Sequence, residues 1–124
     1  MTEHGYATNP PAGTRITLEL WAGVLLAPLA WVGHLSGSYA VATVACGSSP
    51  LVFHAITAAM LLLAGAGFLL AWRVGRHLRD GPEADPERLA RRRFMSAAGA
   101  SLSAGFAFVI VMQSMPPFLL RPCE

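Results

Sequence analysis

Four side chains have a type and a position that could do chemistry in this chain: Cys46, Cys123, His34 and His54. Two thiols with no C-x-x-C spacing can close a disulfide in an oxidising compartment. They can also offer soft thiolates to Cu(I), with the thioether of Met115 close to Cys123 in sequence. His34 lies inside a stretch from Leu20 to Val44 that has no Asp, Glu, Lys or Arg. An imidazole there is costly unless it is paired, so it must face other helices. The structural reading is a neutral ring hydrogen-bonded to a serine or a backbone carbonyl; the functional readings are a haem or metal ligand, a quinone contact or a proton relay. For a bis-histidine haem the second ligand would be His54, which lies about six residues, or roughly 9 Å, nearer the helix end, and Met60 is the closer candidate in depth. Nothing resembles a catalytic triad, a phosphate loop or a zinc-protease motif, and no enzyme activity is expected.

These residues must be positioned by three apolar stretches, 20–44, 51–72 and 94–115, none of which carries an Asp, Glu, Lys or Arg. Each has at least 22 residues. At about 1.5 Å per residue that is roughly 33 Å of helix or more, enough to cross a hydrocarbon core of about 30 Å. The expected fold is an all-α integral membrane protein with three transmembrane helices. Residues 18–124 form one transmembrane domain, with a loop at 73–93, and residues 1–17, with Asn9-Pro10-Pro11 and no apolar period, read as a flexible cytoplasmic tail. The first apolar stretch is too long for a signal-peptide h-region and is expected to stay in the protein; Thr43 weakens a lipoprotein reading of Val44-Ala45-Cys46.

Charge distribution predicts orientation. The chain has nine Arg and no Lys. Arg15 and the seven Arg between residues 73 and 93 flank one side of the spans, whereas only Arg121 lies on the other. Short Arg-rich segments stay in the cytoplasm, so the chain is expected to be N-in and C-out. Cys46 and Cys123 then share the outer face, and a Cys46–Cys123 disulfide is the simplest outcome if that face is periplasmic. Acidic residues at 80, 83, 85 and 87 are interleaved with the Arg run beside a span, which favours a lipid-facing, solvated role over nucleic acid. Trp21 and Trp72 read as interfacial anchors and Trp31 as a packing residue, while His54 and Gln113 are placed at the outer interface, satisfied by water or headgroups.

Pro28 should loosen the first helix near Val24, Gly81-Pro82 should stop the second through a left-handed glycine cap, and Asp85-Pro86-Glu87 should start the third in the cytoplasm. Pro116-Pro117 should end it. Small residues predict helix packing: Gly33 and Gly37 form a G-x-x-x-G step, and Ala97, Ser101 and Gly105 form a stripe, with Gly99, Ser103 and Ala107 on the next. The smoother second span is expected to meet lipid or a partner.

The sequence Pro28-x-x-Trp31-x-x-His34-x4-Tyr39, followed by Ala45-Cys46, His54, Arg91-Arg92-Arg93 and Pro122-Cys123, resembles small uncharacterised bacterial membrane proteins that accompany haem-copper terminal oxidases. The resemblance covers residues 20 to 124 and implies an accessory or assembly role beside other membrane subunits in a bacterial inner membrane. It leaves the role of His34 open, and no intrinsic cofactor is expected. The alternative is a stand-alone membrane protein that handles haem or copper.

Overall fold

The computed structural model of the protein describes residues 12–44, 50–81 and 85–119, and among them every regular element is helical. Three long helices, α1 (Ala12–Val44), α2 (Pro50–Asp80) and α3 (Pro86–Gln113), are followed by a single turn, α4 (Pro116–Leu119). At about 1.5 Å per residue their 33, 31 and 28 residues give roughly 50, 46 and 42 Å, so each outruns a hydrocarbon core. All three are long and apolar enough to span a membrane, and the protein is a multi-pass membrane protein. Short links make sequence neighbours antiparallel, and each long helix touches both of the others.

The ends follow local chemistry. At the start of α3 the Asp85 carboxylate accepts from the Glu87 N–H at 3.1 Å, Pro86 occupies the first turn, and Arg88 pairs with Asp85 at 3.3 Å. Its other end closes at Ser114, whose hydroxyl donates to the Val111 carbonyl at 2.7 Å. The α2 helix stops before Gly81 without the left-handed glycine expected from the sequence, and a Cβ added at Gly81 would lie 3.1 Å from the His77 carbonyl. The bias against helix in a residue that precedes proline is enough to end it. Pro28 lies inside α1, which continues through it; only the hydrogen bond to the Val24 carbonyl is lost.

α1 starts earlier than the sequence pattern implied, so residues 12–17 are helix and not tail. Ile16 packs on the buried cluster of Leu20, Val74 and Leu78, and Arg15 pairs with Glu19 at 3.3 Å one turn on. Tertiary contact with α2 supplies what periodicity did not. Residues 1–11 lie outside the described part of the chain.

Along the bundle the core changes character. Near the Arg-rich end it is the Leu20, Val74 and Leu78 cluster, with Leu89 and Met95 packed against it. The middle is built of small residues. A Cβ added to Gly23 would meet the Ala71 Cβ at 3.1 Å, and one added to Gly99 would meet the same atom at 3.2 Å and the Gly23 carbonyl carbon at 3.4 Å. One position from each helix thus brings three backbones together. Two serines of α3 fasten this layer: Ser96 donates to the Ala71 carbonyl at 2.6 Å, and Ser103 to the Gly23 carbonyl at 3.3 Å. Ala30, Ala64 and Ile110 then fill the next layer, with Trp31 and Met60 against them. Only about a fifth of each span window is buried, so most of the apolar surface must meet lipid or another chain.

Candidate functional site

Beyond the Ile110 layer the bundle ends in polar side chains, one group from each helix. His34 of α1 is 4% exposed and its Nε2 lies 3.2 Å from the Thr57 hydroxyl of α2. That hydroxyl donates its own proton to the Phe53 carbonyl at 3.0 Å. Its oxygen is therefore the acceptor in the contact with histidine, and His34 carries its hydrogen on Nε2. In the neutral ring Nδ1 is left as a buried lone pair, and neither it nor the buried Gln113 Oε1 has a partner of good geometry among the described residues. Gln113, from the last turn of α3, is the other polar neighbour of the ring.

Beside them lies a cavity of about 50 Å³, lined by His34, Ser38, His54, Thr57, Gln113 and Ser114 together with Phe53. One water needs on the order of 10–15 Å³ on the same measure, so a few waters fit. Neither atom presents surface for a water to reach, but rotating the Gln113 amide, so that its NH₂ faces the ring, satisfies Nδ1. A proton on Nδ1 would make the ring a double donor, aimed at Thr57 and Gln113. The chemistry open to this cluster is therefore water binding and proton uptake.

A haem or quinone does not fit it. Pockets that take ligands of such size run to hundreds of Å³, against about 50 Å³ here. The described residues contain no group of three His, Cys, Asp or Glu able to hold a metal. His54 rims the cavity one turn nearer the helix start than Thr57, and Met60 presses its sulfur against Gly33, 3.1 Å from where a Cβ would stand.

The partners of His34 differ from those expected. Ser38 shares the cavity, but the hydrogen bond goes to Thr57, and Gln113 turns inward where the sequence placed it against water or headgroups. A threonine in an otherwise apolar run, 55–60, and a glutamine in the last turn of α3 were the available signals. Which histidine each would meet depends on how the helices rotate against one another.

The glycines of α1 take side chains of α2: Gly33 receives Met60, and Gly37 receives Ile56, whose Cγ2 would lie 3.3 Å from an added Cβ. On α3 the stripe of Ala97, Ser101 and Gly105 lies outside the contacts of this bundle. Ala97, Ser101 and Gly105 are exposed, and a Cβ on Gly105 would meet nothing within 4 Å. The face turned to α1 and α2 carries Ser96, Gly99, Ser103 and Ile110 instead, because those positions supply both the hydroxyl donors and the room for backbone approach. Trp31 stacks obliquely on Phe106 with centroids 5.7 Å apart, whereas Trp21 and Trp72 are about half exposed. Cys46 and Cys123 lie outside the described residues, so their pairing is a matter of chemistry and not of observed geometry. Met115 is exposed.

The chain matches no family model, no curated protein and no solved structure.

Proposed function

We propose that the protein is a non-catalytic accessory or assembly subunit of a bacterial respiratory membrane complex, a terminal oxidase of the cytochrome c oxidase type. The respiratory part of this reading rests on the sequence resemblance. The subunit part rests on one observation: the outward face of α3 carries Ala97, Ser101 and Gly105 at four-residue spacing, and their own bundle leaves them uncovered. Such a stripe lets a second backbone come close where lipid gives no hydrophobic push between helices. A transmembrane helix of a neighbouring subunit is the occupant we assign to it.

Gentle purification from native membranes tests the reading. The wild-type chain is expected to bring oxidase subunits with it, and Ser101→Leu with Gly105→Leu to reduce that recovery at least about fivefold, the equivalent of ~1 kcal/mol, while the isolated chain stays folded. A Soret band or stoichiometric copper in the isolated chain would instead establish the stand-alone haem- or copper-handling protein.

The orientation we propose is N-in and C-out in the inner membrane, carried by the Arg asymmetry. In a background of Cys46→Ser and Cys123→Ser, Glu83→Cys is expected to react with a membrane-impermeant thiol reagent only after the inner face is opened. Labelling in intact cells would reverse the topology. With that topology the two native cysteines meet an oxidising compartment and pair. Non-reduced protein treated with a thiol-reactive polymer is then expected to gain no mass; two additions without reduction would show free thiols.

A further inference from the structure

At the opposite end of the bundle from His34, a groove of about 540 Å³ runs between the first turns of α1 and the last turns of α2. Arg15, Arg73, Arg76 and His77 line it, with Glu19 as its one carboxylate. Its floor is apolar: Ile16 and Val74 belong to the packed cluster beneath. Glu19 is held by Arg15 at 3.3 Å, and among the described residues no carboxylate pairs with Arg73 or Arg76. Arg76 is steadied over the Trp72 ring, 5.6 Å from its centroid, and Trp72 itself is half exposed in the position of an interfacial anchor.

A second charged hollow on α3 makes the contrast clear. It is lined by Asp85, Glu87, Arg88 and Arg91, two acids against two bases, and Arg88 already pairs with Asp85. The α1/α2 groove has three guanidinium groups against one carboxylate, an unbalanced set just beyond the uncharged stretches 20–44 and 51–72. Guanidinium forks match phosphate oxygens bidentately, and basic pockets between transmembrane helices suit anionic headgroups.

We propose that this groove binds the phosphate of an anionic phospholipid, its glycerol and first acyl carbons lying on Ile16 and Val74. A soluble phosphate ester would share the guanidinium contacts but would make no use of the apolar floor or of the half-exposed Trp72 under Arg76. This assignment is independent of the respiratory reading, since it needs only that the helices span a bilayer.

The test uses the full chain in detergent, followed by native mass spectrometry with added dioleoyl phosphatidylglycerol, dioleoyl phosphatidylcholine or glycerol 3-phosphate. The expected result is a phosphatidylglycerol adduct retained at least about fivefold more strongly than phosphatidylcholine, at roughly fivefold per guanidinium engaged. Arg73→Gln with Arg76→Gln should bring the two lipids level. Arg91→Gln with Arg93→Gln, which removes the same charge outside the groove, should leave the preference intact. If the groove double variant fails to fold, as judged by its helicity, Arg15→Gln carries the test, with an expected partial loss of preference. Equal binding of the two lipids, or equal losses from the groove and control variants, would overturn the proposal. Displacement of the lipid by equimolar glycerol 3-phosphate would overturn it in favour of a soluble phosphate ligand.

Discussion

Gly99→Leu is expected to break the packing of the three helices, with a loss of at least about 3 kcal/mol in bundle stability. The first added carbon would already lie 3.2 Å from the Ala71 Cβ and 3.5 Å from the Gly23 carbonyl oxygen, and leucine adds three more. Overpacking a filled core costs about 1–3 kcal/mol even where side chains can give way. Here the neighbours are a methyl group and main chain, which can yield only by moving α1 and α2 apart. That movement would also stretch the Ser96 and Ser103 hydrogen bonds to the carbonyls of Ala71 and Gly23. Gly105→Leu is the control, since its side chain would enter open space. Unfolding titrations in mixed micelles, followed by helicity, separate the two. A destabilised Gly105→Leu beside a tolerant Gly99→Leu would place the Ala97, Ser101 and Gly105 stripe inside the bundle and reject the observed rotation of α3.

The second large effect concerns His34. His34→Leu is expected to lower helix association by on the order of 1 kcal/mol, the range measured for interhelical hydrogen bonds, because the Nε2–H donor to Thr57 is lost while Gln113 Oε1 stays buried. His34→Gln keeps an N–H donor of similar reach and is expected to cost little, with the proposed respiratory complex still active. The same pair of variants tests the proton chemistry that the cavity permits. Glutamine cannot exchange a proton near neutral pH, so a complex that assembles with His34→Gln but has no activity would make His34 a proton carrier and overturn its structural role.

What could be read without tertiary structure was whatever depends on short windows of chain. The three spans, the Asp85-Pro86-Glu87 start of α3 and the inward-facing His34 follow from apolar length, from orphan N–H groups at a helix end and from the expense of a lone imidazole in lipid. Each is a local balance between a side chain and its immediate solvent. The start of α1 is not legible in the sequence because Ile16 is anchored by Val74 and Leu78, about sixty positions away, and no periodicity within the first seventeen residues records that contact.

The choice between the two α3 stripes shows the same limit more sharply. Ala97/Ser101/Gly105 and Gly99/Ser103/Ala107 have equivalent compositions and equal spacing, so helix propensity and the small-residue rule score them alike. Only docking decides, because the stripe that faces inward is the one whose Ser103 hydroxyl meets the Gly23 carbonyl on α1 and whose Gly99 meets Gly23 and Ala71. The partners of His34 were settled in the same way, by the rotation of α2 and α3 that brings Thr57 and Gln113 to the ring. The sequence by itself determined that three segments are long and apolar enough to cross a bilayer and where α3 begins, because those are properties of each segment in its solvent. The tertiary structure alone decided which faces meet, because facing requires the relative rotation of separate helices, and no single segment encodes that angle.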